Sequence, residues 1–386
     1  MRILIVTNHF LSGNGGAPYA SRAIINGFAE LAEECLLLYP ESGEKVDAYL
    51  NSRIILKGVL NKDKSIDKLI DIYCGRINRF TGIFKQELLN FKPDIVVFDN
   101  SRASAGLIQF ARSAGCKIIT VHHNYEVEYY KGTPPPVLWR YPLLHHMKKA
   151  EKDAVILSDL NLTLTEQDID LLQKNYDPSK ARNFECLGVF EYKKSSYHSA
   201  TGIVKGTNNE LNFVITGSLS SHQTEISLLP FFEHHYPIIK KRFPQSKLIV
   251  AGKDPSELIK SLCNNNPDVY LVANPPDMQE IIKQGNIYIC PIAVGGGLKL
   301  RVMDGLKMGL PVLSHSVSAR GYDSFQKEGV LFAYHDNSSF ETGLNKVADI
   351  VNNNGLRERI LIQYQRIFSF EGGTQRLLDI LKKNHL

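Results

Sequence analysis

The densest cluster of residues able to do chemistry lies near position 300. There the apolar run Pro291-Ile292-Ala293-Val294 meets Gly295, Gly296 and Gly297, followed by Leu298, Lys299, Arg301 and Asp304. Glycines between a strand-like run and a helical pattern expose backbone amides at the positive end of a helix, a setting that suits a phosphate or diphosphate. Lys299 would neutralise charge gathering on a departing phosphate, with Arg301 as a second cation. Asp304 supplies a carboxylate able to accept hydrogen bonds from a ribose. The spacing predicts a strand, a glycine turn, and a helix carrying Lys299, Arg301 and Asp304 in its first turns.

Two further clusters lie earlier in the chain. Ser12-Gly13-Asn14-Gly15-Gly16-Ala17-Pro18 precedes a helical pattern with Ala23, Ile24, Phe28 and Leu31. Gly15 and Gly16 would let a phosphate or sugar approach the backbone, although the spacing fits neither a dinucleotide fingerprint nor a Walker A loop. His122-His123-Asn124-Tyr125-Glu126-Val127-Glu128 follows another apolar run. It makes His123, Asn124 and Glu126 candidates at the carboxyl edge of a strand, where binding and catalytic groups gather.

Other polar groups carry less. The adjacent pairs His122/His123, His145/His146 and His234/His235 lack the spacing of a helical metal-ligand face, so no metal is expected. Thr165 followed by Glu166, Asp168 and Asp170 reads as a capped helix start. Trp139, Arg140, Lys148 and Lys149 concentrate aromatic and basic character in one stretch, which would suit a lipid headgroup layer or an anionic acceptor.

Positioning these groups falls to an alternation of short β-branched runs with longer amphipathic segments, the pattern of parallel sheets covered by helices. Predicted strands in the first half are Arg2 to Thr7, Glu34 to Pro40, Arg53 to Lys57, Asp94 to Asp99, Lys117 to His122 and Asn161 to Thr165. A polar stretch then breaks the pattern, and residues 196–210 read as a linker. Alternation resumes with Phe213 to Ser218, Lys247 to Gly252, Val269 to Ala273, Ile287 to Ile292, Pro311 to His315 and Val330 to Tyr334. The expected architecture is α/β: two Rossmann-like lobes, residues 1–195 and 211–366, facing across a central cleft at the carboxyl ends of their strands.

Composition agrees with that architecture. A chain of 386 residues exceeds what one hydrophobic core usually serves. With 43% hydrophobic and 22% charged residues it is ordinary for a globular protein. The formal charge of +5 is spread among interleaved acids, which gives no reason to expect a nucleic-acid partner. The six cysteines are scattered without a Cys-x-x-Cys pair, so neither disulfides nor structural zinc are expected. No apolar run approaches a bilayer span and the amino terminus enters a strand directly, which leads to a cytoplasmic expectation.

The segment from Gly295 to Val312 resembles the donor-binding signature of the family 4 glycosyltransferases, which have the GT-B fold. Gly15-Gly16, His123-Asn124-Tyr125-Glu126, Thr163 to Asp168, Gly217-Ser218 and Phe368 to Glu371 extend the resemblance over most of the chain. It implies transfer of a sugar from a nucleotide donor, UDP- or GDP-linked, to a glycan or lipid-linked acceptor. Anomeric configuration would be retained, and neither metal nor cofactor is implied. The first lobe would hold the acceptor, at an inner membrane face if that acceptor is lipid-linked, and residues 367–386 would cross back to it.

By position, Lys299 would bind the donor phosphates and Asp304 the ribose. Gly15, Gly16, Gly217 and Ser218 would lie near the diphosphate with residues 295–298, and His123 would face the transferred sugar. The catalytic group expected on this basis is His123, Glu126 and Lys299. Two departures stand out: Gly296 and Asp304 replace the paired glutamates of many members, and Ser218 and Gln223 replace an arginine and a lysine. A sugar-nucleotide epimerase, or a noncatalytic GT-B subunit that binds a partner, are the alternatives these departures leave open.

Overall fold

The computed structural model describes residues 1–13, 15–60, 78–132, 137–194, 211–295 and 298–386. The chain divides into two compact units, Met1–Ser195 together with Ile367–Leu386, and Ser196–Arg366. Residues 196–210, read as a linker, lie outside the described residues.

The first unit is built on a parallel sheet of seven strands: β1 Arg2–Thr7, β2 Glu34–Glu41, β3 Ile54–Leu60, β4 Ile95–Asp99, β5 Lys117–His122, β6 Leu160–Thr163 and β7 Phe184–Cys186. Their order is β3-β2-β1-β4-β5-β6-β7. Ile3 to Val6 and Ile95 to Phe98 are buried, as expected where helices cover both faces. Strand order reverses between β1 and β4, where Thr7 pairs with Asp99 and Phe98 in turn pairs with Thr120 of β5. The residues just beyond β1, β4 and β5 therefore meet at one point of the carboxyl edge.

Strand β7 was not among the strands read from the sequence, which end in this lobe with Asn161 to Thr165. Its three half-buried residues are too few to show alternation, yet they complete the sheet by pairing with Asn161 to Thr163.

The carboxyl-terminal segment belongs to this unit through packing. Ser369 caps the helix Phe370–Lys383, accepting the Gly372 amide at 2.9 Å. Gly373 and Gly27 both lie against Phe190, so close at Gly373 that a Cβ would stand 2.0 Å from the ring. Arg376 donates to the carbonyls of Leu187 and Ile367 at 2.6 and 2.8 Å.

The second unit holds a parallel sheet of six strands: β8 Asn212–Ser218, β9 Lys247–Lys253, β10 Val269–Ala273, β11 Ile287–Cys290, β12 Val312–His315 and β13 Leu331–Tyr334. The order β10-β9-β8-β11-β12-β13 reverses between β8 and β11. One core of Phe213, Ile215, Phe231, Ile239, Val250, Ile289 and Phe340 fills one side of it. Each unit is thus a Rossmann-like lobe. In each, the switch point marks where a crevice for ligands opens.

Candidate functional site

In the second unit, the turn after β11 is held by side chains on either side. Ser227 Oγ accepts the Ala293 amide at 3.1 Å, and Ser318 Oγ donates to the Ile292 carbonyl at 2.6 Å. Beyond the turn, the buried Tyr322 hydroxyl donates to the Lys299 carbonyl at 2.8 Å. Helix Arg301–Lys307 carries Arg301 and Asp304, but Lys299, expected in its first turns, precedes it. The Lys299 carbonyl accepts the Val302 amide, a tighter i+3 bond, which closes the turn before the helix proper.

Gly295 adopts φ +92°, a conformation that favours glycine. A Cβ placed there would stand 2.7 Å from Lys299 Nζ and 2.8 Å from Gln223 Nε2. The ammonium and the amide thus converge over this bare stretch of backbone. Burial, ahead of the neighbouring Arg301 and Arg320 charges, lowers the Lys299 pKa from its ordinary value. Such a cation gains more from an arriving anion than a fully hydrated one does.

Gly217, at the carboxyl end of β8, plays the matching role for Arg301. Its φ is +144°, and a Cβ there would lie 2.3 Å from the guanidinium carbon of Arg301. Arg301 Nη2 donates to Thr224 Oγ1 at 2.7 Å and to the Ser218 carbonyl at 3.2 Å, while Nη1 is buried with no hydrogen-bond partner among the described residues. A buried guanidinium N–H without an acceptor is costly unless a ligand or water supplies one. Leu298 and Asp304 are half-buried, and Asp304 stands in the first turn of the helix. Its charge helps push up the buried Tyr288 and Tyr322 hydroxyls, after burial itself. Gly296 and Gly297 lie outside the described residues.

In the first unit, Gly15 and Gly16 are exposed at the start of the helix Gly16–Leu31, with Gly15 as its N-cap. Among the described residues, no side chain caps that helix and no acid stands in its first turn. Gly15 has φ −88° and meets only the Pro18 ring at ordinary contact distance, so its backbone would accept a side chain.

His123 is buried, and its Nε2 stands 2.7 Å from Asp99 Oδ1. Glu126 opens the helix Glu126–Gly132. Its Oε2 is buried 3.9 Å from Arg102 Nε, and its amide donates to Glu151 Oε1 at 2.9 Å. Burial pushes Glu151 up to about 8. Asn124 is half-buried in the bend between His123 and this helix. His122, its pKa lowered by burial to about 4, is turned to Asn161 at 2.9 Å. Thr165 caps the helix Glu166–Tyr176, and Asp168 of the same cap accepts the Tyr125 amide at 3.0 Å.

Arg140, Lys148 and Lys149 lie exposed on the helix Val137–Leu157 with Tyr141, His145 and Lys152. Lys149 pairs with Asp153 at 2.7 Å. The Trp139 side chain lies outside the described residues. Among the described residues, no helix is long and apolar enough to cross a membrane, and Cys35, Cys116, Cys186, Cys263 and Cys290 are free thiols.

Sequence reasoning did not single out Asp99, His9 and Asn100. Asp99 accepts from Thr7 Oγ1 and His123 Nε2, both at 2.7 Å, and lies 3.7 Å from His9 Nδ1. Each of these residues ends or follows a strand beside the switch point. Polar residues at three successive strand ends were the available signal.

Two Rossmann-like lobes, each with reversed strand order and one presenting glycines overlaid by cations, define an α/β protein of GT-B architecture. Residues 210–349, within the second unit, match the family described as Glycosyl transferases group 1. The likeness to solved structures spans both lobes. HepE from Anabaena, in complex with UDP, superposes with a TM-score of 0.69 at 11% identity, covering 99% of this chain and 100% of that one. A glycosyltransferase from Rickettsia africae gives 0.67 at 12% identity over 100% and 98% of the two chains. The lipopolysaccharide outer core galactosyltransferase WaaB, in its apo form, gives 0.64 at 14% over 99% and 100%. An uncharacterized 44.6 kDa protein in the cps region of Klebsiella pneumoniae is 26% identical over 270 residues, 64% of this chain. The match spans 65% of that protein's length.

Proposed function

We propose that the chain is a retaining glycosyltransferase that moves a sugar from a UDP- or GDP-linked donor to a glycan or lipid-linked acceptor in surface polysaccharide assembly. The observation that carries this reading is the convergence of Lys299 Nζ and Gln223 Nε2 over Gly295, beside Arg301 with a buried Nη1 that has no partner among the described residues. Two cations over glycine backbone suit a diphosphate. The group 1 match of the same unit and the UDP bound to HepE support a nucleotide-sugar donor. The cps-region relative favours capsule or a similar surface polymer.

In this mechanism the bond from the anomeric carbon to the diphosphate oxygen breaks as the acceptor hydroxyl attacks on the same face. The hydroxyl proton passes to the departing phosphate oxygen. Lys299 and Arg301 hold the charge that develops there, a role that requires neither a protein nucleophile nor a metal. Asp304 accepts hydrogen bonds from the ribose hydroxyls. The basic face of helix Val137–Leu157 would hold the first lobe at an anionic membrane surface.

The test is turnover and nucleotide binding by Lys299→Ala. Transfer should be lost and nucleotide binding weakened with the thermal transition unchanged, whereas full turnover would refute the assignment.

A further inference from the structure

At the switch point of the first sheet, the end of β4 and the loops after β1 and β5 bring a buried carboxylate between two imidazoles. Asp99 is fully buried. Its Oδ2 accepts the Thr7 hydroxyl and its Oδ1 faces His123 Nε2, both at 2.7 Å. His9 lies 4.9 Å from His123, ring centroid to ring centroid, in an edge-to-face arrangement. The His9 Nδ1 stands 2.7 Å from Ser21 Oγ, and its Nε2 stands 3.3 Å from Asn100 Nδ2.

Asn100 itself has φ +131°, a strained conformation for a residue with a side chain. Its Oδ1 accepts the Ala103 amide at 2.8 Å, which fixes the amide orientation that points Nδ2 at His9. The strained peptide therefore serves to place a donor beside the imidazole pair. His123 Nδ1 completes the set: it is buried and has no hydrogen-bond partner among the described residues.

We propose that Asp99 is a positioning residue for sugar transfer, holding His123 with its proton on Nε2 so that the Nδ1 lone pair accepts a hydrogen bond from a substrate hydroxyl. This rests on the reading of the chain as a glycosyltransferase. The carboxylate can do this because it offers only acceptors. A neutral His123 facing it must put its single N–H on Nε2, which leaves Nδ1 as an acceptor.

Burial alone would raise Asp99, but its pairing with His123 and its contact with His9 outweigh burial and hold the carboxyl well below its usual range. Burial, ahead of the opposing Asp99 bond, lowers the His9 pKa, which favours its neutral form. The ligand atoms of His9, Asp99 and His123 lie within 4.8 Å of one another, close enough for a cation. Both Asp99 oxygens are nevertheless already engaged by Thr7 and His123, and the hydrogen-bonded arrangement accounts for the geometry.

Long-range 1H–15N spectra of the histidine-labelled full chain read the tautomers directly and need no variant. Wild-type His123 should carry its proton on Nε2. Asp99→Asn replaces two of the acceptor lone pairs with N–H donors and should move His123 toward the Nδ1–H form. By analogy with removal of the orienting carboxylate in a catalytic triad, kcat should fall on the order of a hundred-fold or more, with donor KM changed little. A proton on Nδ1 in the wild type would overturn the proposal, as would an unchanged tautomer and kcat in a folded Asp99→Asn protein. Zinc added to the wild type should leave both imidazole signals in place, and stoichiometric binding that shifts them would overturn it too. If the wild type transfers no sugar, the glycosyltransferase reading fails while the spectra still decide the tautomer.

Discussion

Arg301→Ala separates a ligand-binding guanidinium from a structural one. Arg301 bridges Thr224 Oγ1 and the Ser218 carbonyl through Nη2, lies on the bare face of Gly217 and keeps Nη1 buried without an acceptor among the described residues. If a donor phosphate is that acceptor, its loss removes one charge-assisted hydrogen bond, about 1.5–3 kcal/mol. Binding should then weaken roughly 10- to 150-fold. Arg301→Lys should restore only part of this, because an ammonium cannot reach Thr224, Ser218 and a phosphate at once.

Gly217→Ala tests the same contact from the other side. Its Cβ would stand 2.3 Å from the guanidinium carbon, at a φ of +144°. The substitution should displace Arg301 and add backbone strain of about 1–3 kcal/mol. Once Arg301 is alanine, Gly217→Ala should cost little further binding, because the two act on one contact. The assay is calorimetric titration with UDP and GDP, alongside thermal unfolding of each variant. A folded Arg301→Ala protein that binds both nucleotides like the wild type would refute the phosphate role and leave Arg301 a purely structural tie.

Two other outcomes follow from the first lobe. Glu151, raised to about 8 by burial, keeps in the folded chain a proton that the unfolded chain releases near pH 4. Stability should therefore fall as pH rises through about 5 to 8, by at most about 1.4 kcal/mol per pH unit. Glu151→Gln should flatten that slope in thermal melts, and parallel pH profiles would contradict the shift. Reversing charge at Arg140, Lys148 and Lys149 should weaken sedimentation with anionic vesicles by about 3 kcal/mol or more, on the order of a hundred-fold. Equal binding by variant and wild type, or no binding by either, would remove the membrane-facing role of helix Val137–Leu157.

Much of the architecture was legible because parallel strands buried on both faces read as apolar runs, as Ile3 to Val6 and Ile95 to Phe98 do. Strand β7 was not legible, since three half-buried residues beside a polar stretch carry no periodicity. Around residue 300, types and order sufficed to mark Lys299 and Arg301. The sequence pattern could not show that Tyr322 ties off the Lys299 carbonyl and delays the helix to Arg301.

Long-range pairings were the least legible. Asp99 ends an apolar strand and looks like punctuation until the order β1-β4-β5 sets it between His9 and His123. Likewise, Gln223 resembled a lost cation, yet the fold brings its amide to the same bare backbone as Lys299.

The most direct test is calorimetric titration of the wild-type chain and Lys299→Ala with a panel of UDP- and GDP-sugars, each binder then being assayed for transfer. At least one sugar nucleotide should bind the wild type and serve as donor, with binding weakened and transfer lost in a folded Lys299→Ala protein. If no sugar nucleotide binds the wild type, or if Lys299→Ala binds and transfers equally well, the Gly295–Lys299 turn is not a donor-phosphate site.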